Sequence, residues 1–169
     1  MRRGYQIGAV VALLTLLLTG CQTSASESPA TSAARGASAG DEASRPPGGG
    51  TSINVTLQEW AVLPDADSAP AGDVTFVVTN DGPDDVHEFV IIRTDLDPGS
   101  LPTDATGAVD EAGADIEVID EIKDIAVRGT AEVTATLEAG NYILICNIYT
   151  ESEDEAHYAM GMRVAFTVE

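Results

Sequence analysis

Apolar and polar residues alternate with a period of two over several short stretches in the later part of the chain. Ile53, Val55 and Leu57 alternate with Asn54, Thr56 and Gln58. Ala131, Val133, Ala135 and Leu137 alternate with Glu132, Thr134, Thr136 and Glu138. Val164, Phe166 and Val168 alternate with Arg163, Ala165 and Thr167. Successive side chains of a strand point to opposite faces, so this pattern predicts sheets with one buried face and one wet face. Val74 to Val78 is a β-branched and aromatic run closed by the turn sequence Asn80-Asp81-Gly82-Pro83. Val86 to Ile92 follows, and Ala139-Gly140-Asn141 turns the chain into Tyr142 to Ile148. Ile116 to Ile119 and Ile125 to Val127 read as short edge strands. Roughly six to eight short strands in one domain predict an all-β Greek-key sandwich or barrel. Residues 94–115, rich in Asp, Gly and Pro, read mostly as loop, with a short helix around Val109 to Ala112.

The start of the chain follows a different pattern. Arg2 and Arg3 precede an apolar run from Ile7 to Leu18, then Thr19 and Gly20. This is secretory-signal anatomy over residues 1–20, and the run is shorter than the roughly 20 apolar residues a spanning helix needs. Leu18-Thr19-Gly20-Cys21 resembles the bacterial lipobox. That resemblance implies cleavage before Cys21, lipidation of Cys21, and a protein anchored to the outer face of the cell membrane or a periplasmic membrane face. Residues 21–51 are Ser, Ala, Gly and Pro with almost no bulky apolar side chain, and read as a disordered tether. Residues 52–169 then form one domain. With Cys21 committed to lipid, Cys146 is the only other thiol and has no disulfide partner.

The charge narrows the partners. The chain has 8 basic and 28 acidic residues and a formal net charge of −20. Loss of Arg2 and Arg3 with the signal leaves six basic residues against the same 28 acidic ones, or −22. Nucleic acid and bare anionic membrane are thereby poor partners, and contact with the membrane is through the lipid only. A basic protein face, steered by long-range attraction, is a plausible partner. Solubility and adaptation to salt or acid are equally open explanations of the charge. No Gly-rich loop follows a strand, so nucleotide binding has no support.

The chemistry concentrates near the C-terminus, in Cys146, His157, Met160 and Met162. His87, the only other histidine, lies on a strand-like run far upstream. Taken singly, His87 reads as a core or edge residue, Cys146 as an inert buried thiol and His157 as a surface residue. Taken together they place two imidazoles, one thiolate and a thioether at predicted strand ends. That is the donor set of a blue-copper site, in which soft sulfur favours Cu(I) and imidazole suits both oxidation states. A nucleophilic role for Cys146 with His157 as its base would leave the methionines unexplained.

Cys146, His157 and Met162 resemble the ligand loop of the cupredoxins, the blue-copper proteins related to plastocyanin and azurin. The methionine lies five residues after the histidine, and His157-Tyr158-Ala159-Met160-Gly161-Met162 keeps the Gly-Met pair of the plastocyanin-like pattern. Asn80-Asp81-Gly82-Pro83 with His87-Glu88-Phe89 resembles the upstream ligand strand, and Tyr142 to Asn147 the strand that carries the thiolate. The resemblance implies an eight-stranded Greek-key β-sandwich with one type 1 copper near one end. Carried over by position, His87, Cys146 and His157 are the equatorial ligands and Met162 the axial one. Met160 then packs at the mouth of the site. The stretch between Cys146 and His157 is longer than in plastocyanin by the insertion Tyr149 to Ala156. Its acids Glu151, Glu153, Asp154 and Glu155 are candidates for partner docking. The function implied is that of a monomeric, non-enzymatic shuttle of single electrons between redox proteins. Copper storage, or delivery to an extracytoplasmic oxidase, is the alternative. Oxidase or reductase chemistry usually needs further copper sites, which two histidines cannot build.

Overall fold

The computed structural model describes residues 50–169. The expected signal peptide and nearly all of the expected tether therefore lie outside the described residues. The strands are β1 (Thr51–Gln58), β2 (Ala61–Pro64), β3 (Ser68–Ala69), β4 (Gly72–Asn80), β5 (His87–Arg93), β6 (Glu117–Ile125), β7 (Thr130–Leu137), β8 (Gly140–Ile145), β9 (Tyr149–Thr150), β10 (Glu155–Ala156) and β11 (Arg163–Val168). One short helix, α1, spans His157–Met160. Among the described residues, no helix is long and apolar enough to cross a membrane.

Two sheets face each other. One has the order β2-β1-β4-β7, the other β3-β11-β8-β5-β6. β1 and β4 are parallel, as are β3 and β11, so the chain crosses between sheets instead of meandering within one. This is the expected all-β Greek-key sandwich. The alternation seen in the sequence becomes a division between faces. Ile53, Val55 and Leu57 of β1 and Val74, Phe76 and Val78 of β4 are buried. They meet Phe89 and Ile91 of β5, Leu144 of β8 and Phe166 of β11 in one core. Phe76 sits between Phe89 and Phe166, with ring centroids 5.3 and 5.6 Å away. Burying each such side chain contributes about 1.5–3 kcal/mol.

The five-stranded sheet departs from the simple expectation of one wet face. Phe89, Val90, Ile91 and Ile92 of β5 are all buried, and so are Tyr142, Ile143, Leu144 and Ile145 of β8. Residues 94–115 are the cause. Leu101 and Val109 of this segment pack with Val90, Ile92, Ile143, Ile145 and Tyr158 into a second core on the outer side of the sheet. Strands covered on both faces read as continuous apolar runs, as these do.

Several local expectations change. No helix forms around Val109 to Ala112. Val109 instead bridges Thr103, and the Gly113 N–H donates to the Asp110 carbonyl at 2.7 Å in a turn. The two expected edge strands near residues 116–127 are one nine-residue strand, β6. The insertion Tyr149 to Ala156 folds as a hairpin of β9 and β10. β1 begins at Thr51, one residue before the expected domain boundary.

Candidate metal centre

Sheet register brings the donors to one end of the sandwich. β5 and β8 run antiparallel, with Val90 opposite Ile145, so the start of β5 adjoins the end of β8. His87 is the first residue of β5, and Cys146 follows the last residue of β8. The β5–β6 register shifts between His87 and Phe89, so the regular ladder is interrupted at the strand's start. β11 pairs with β8 so that Arg163 faces Ile145, and Met162 continues that pairing through Cys146 N–H to Met162 carbonyl at 3.1 Å. His157 directly follows the end of β10 and opens α1. Its N–H donates to the Ile148 carbonyl at 2.9 Å, and its carbonyl accepts from Met162 at 3.1 Å. Gly161 ends this turn at φ +128°, where a Cβ would also lie 3.1 Å from the Trp60 carbonyl. Both constraints favour glycine.

The three nearest donor atoms form a triangle. His87 Nδ1 and His157 Nδ1 are 3.2 Å apart. Cys146 Sγ lies 3.4 Å from His157 Nδ1 and 3.9 Å from His87 Nδ1. An ion about 2.0–2.3 Å from each donor, in or near their plane, requires edges of roughly 3.5–4.0 Å. Two observed edges, 3.2 and 3.4 Å, fall slightly short of that range, and the third, 3.9 Å, lies within it. All three side chains are buried. The set fits a trigonal His2Cys centre, and its size and chemistry fit one type 1 copper. Met162 is fully buried, whereas Met160 is 46% exposed.

The electrostatics suit neutral nitrogen donors. Burial lowers the pKa of both imidazoles. For His87 the neighbouring His157 adds to this, while Glu59 and Asp85 oppose it. Neutral imidazole is the metal-binding form. Burial also pushes the Cys146 thiol up to about 12, against donation from the Glu88 and Ile148 N–H groups. A thiol so held is a poor nucleophile, and metal binding has to displace its proton.

Surrounding residues hold the donors in place. The Glu88 N–H donates to Cys146 Sγ at 3.3 Å, and Glu88 Oε1 accepts the Asn147 N–H at 3.1 Å. Asn147 in turn binds both backbone groups of Val109, at 2.6 and 3.0 Å. The Tyr158 hydroxyl donates to the Pro98 carbonyl at 2.8 Å and accepts the Leu101 N–H at 3.1 Å. The residues that follow Cys146 and His157 thus grip the segment 94–115. Asn147 and Tyr158 follow Cys146 and His157 directly, yet no spacing rule singled them out.

The turn between β1 and β2 closes the other side. The Trp60 ring stands edge-on to His157 at 5.1 Å. Glu59 Oε1 accepts the N–H groups of Asp84 at 3.3 Å and Asp85 at 2.9 Å. Burial raises the Glu59 pKa, but these N–H groups, its own N–H and His87 outweigh it, so the net shift is downward. Buried Asn80 fixes the 82–85 loop through the Asp85 and Ile125 carbonyls and the Gly82 N–H. Nothing in the sequence pattern linked Glu59, Trp60 or Asn80 to the donors. The only available signal was Asn80 at the head of a turn sequence.

No protein-family model matches the chain, and no curated relative matches it in sequence. Solved structures do resemble it. The dithionite-reduced auracyanin of the photosynthetic bacterium Roseiflexus castenholzii is 24% identical, over 70% of this chain and 97% of that one, with a TM-score of 0.50. Auracyanin A, a "blue" copper protein of Chloroflexus aurantiacus, is 21% identical, over 72% and 100%, with a TM-score of 0.49. Rusticyanin of Thiobacillus ferrooxidans is 22% identical, over 72% and 79%, with a TM-score of 0.43. The domain has the cupredoxin fold, and its buried His87, Cys146 and His157 fit one type 1 copper.

Proposed function

We propose that this chain is a single-copper electron carrier working outside the cytoplasm, held to a membrane by lipid on Cys21. The observation that carries the reading is the buried triangle of His87, Cys146 and His157, with edges of 3.2, 3.4 and 3.9 Å. Met162 would supply a thioether to the copper as its fourth holding residue. Its complete burial beside Cys146 favours it over Met160, which is half exposed. Bound copper supplies a one-electron Cu(II)/Cu(I) couple. The protein's part is to keep the donors fixed, so that a change of oxidation state finds the same cage. The backbone bonds from His157 to Ile148 and Met162, and the Glu88 N–H on the sulfur, do this. Burial of all three donors excludes water and opposes rapid release of the metal.

The partner is a redox protein with a basic face. Glu151, Glu153 and Asp154 are exposed on the β9–β10 hairpin, and Glu155 is half-buried there. β10 of this hairpin runs directly into His157, which ties the hairpin to the centre. The test is stopped-flow electron transfer with basic redox proteins over a salt series. Replacing Glu151, Glu153 and Glu155 by Gln and Asp154 by Asn should slow association and flatten its salt dependence, because screening acts over about 8 Å at physiological ionic strength. The copper spectrum should stay the same. A salt-independent rate would remove the docking role of the hairpin. Rapid copper transfer to an apo-oxidase without electron exchange would replace the carrier with a delivery protein.

A further inference from the structure

Among the described residues, three buried side-chain polar atoms have no hydrogen-bond partner: Glu59 Oε2, His87 Nε2 and His157 Nε2. Two of the three residues face each other, with Glu59 Oε1 3.8 Å from His87 Nε2. The donors turned toward Cys146 are the Nδ1 atoms, so coordination through Nδ1 leaves the ring proton on Nε2. A buried N–H without an acceptor keeps the cost of its lost hydration. One contact between Glu59 and His87 would remove that cost.

The carboxylate is held for this contact. Two N–H groups of the 82–85 loop donate to its Oε1, and Asn80 fixes the loop. Gly82 leaves the space it needs, since a Cβ there would lie 2.5 Å from Oε1 and 2.6 Å from Oε2. His157 instead has an aromatic neighbour, Trp60, with ring centroids 5.1 Å apart. The two imidazoles are therefore unlike in their outer contacts.

We propose that Glu59 is a positioning residue for the copper: its carboxylate accepts the Nε2–H of metal-bound His87, fixes the ring and strengthens Nδ1 as a donor. The inference rests on the copper reading of His87. Metal-bound histidines generally donate their second N–H to such a group, and losing it typically costs 10–100-fold in affinity or activity. A stronger nitrogen donor and a nearby negative charge both favour Cu(II) over Cu(I).

The experiment compares the copper-loaded full chain with Glu59→Gln and Asp84→Asn. Gln keeps an acceptor for the Asp84 and Asp85 N–H groups but removes the charge. Asp84→Asn removes an exposed charge from the same loop. Glu59→Gln should weaken the preference for Cu(II) about tenfold, an upward shift in potential of about 59 mV, and Asp84→Asn should do much less. In the Cu(I) form, which is diamagnetic, the wild-type His87 Nε2–H should give a downfield, slowly exchanging NMR signal that moves upfield in Glu59→Gln. Equal potentials in the two variants would overturn the proposal. So would a wild-type His87 Nε2–H in fast exchange with water, a result that needs no variant to fold. Absence of the blue band from the wild type would instead overturn the copper reading, and this inference with it.

Discussion

The two sheets of the sandwich use opposite designs. The sheet β2-β1-β4-β7 buries one face and leaves the other half-wet, with Thr75 paired to Thr134 at 2.8 Å and Thr79 to Thr130 at 3.0 Å on its outer side. The sheet β3-β11-β8-β5-β6 buries both faces of its central strands. It also carries the candidate centre: His87 begins β5, Cys146 follows β8 and Met162 precedes β11. The difference teaches why residues 94–115 exist. They shield the outer face of the sheet that holds the donors, and Asn147 and Tyr158 fasten that shield beside the donors themselves. The wetter sheet contributes to the centre through Glu59 and Trp60 in the β1–β2 turn and through Asn80 at the end of β4.

The comparison can be broken at three depths. Phe76→Ala removes the ring between Phe89 and Phe166, where both sheets meet. It should cost about 3–5 kcal/mol in chemical denaturation, the largest effect, because the cavity lies in the core common to both sheets. Tyr158→Phe removes the hydroxyl that joins Pro98 and Leu101 to the helix carrying His157. It should cost about 1–3 kcal/mol and speed hydrogen exchange at the Leu101 amide selectively. An unchanged Leu101 exchange rate would mean that the hydroxyl does not fasten the shield. Thr75→Val acts on the outer face of the plainer sheet, and should change stability by no more than about 0.5 kcal/mol with no effect on the copper spectrum. A spectral change there would contradict the separation of the two sheets.

Legibility in the sequence follows the same division. β1, β7 and β11 were visible because one face is wet, and alternation records that directly. β5 and β8 were visible as apolar runs, but a run does not say what covers it. The covering segment 94–115 has few bulky apolar residues, chiefly Leu96, Leu101 and Val109, at irregular spacing. It packs through single anchors and backbone bonds to Asn147 and Tyr158, which leave no periodic mark. The donors were legible because histidine and free cysteine are scarce in this chain, and scarcity made their spacing informative. Their order along the chain does not reveal that His157 lies on a helical turn. Glu59 was hidden among 28 acidic residues, and only the folded chain sets it 3.8 Å from His87.

The central claim is that buried His87, Cys146 and His157 form a copper site with a thiolate ligand. The most direct measurement is the visible absorption and paramagnetic-resonance spectrum of the Cu(II)-loaded full chain, with Cys146→Ser alongside. The account predicts one copper per chain and an intense thiolate-to-Cu(II) charge-transfer band that Cys146→Ser abolishes, since the sulfur is its source. Stoichiometric Cu(II) binding without that band, or a band that survives Cys146→Ser, would contradict it.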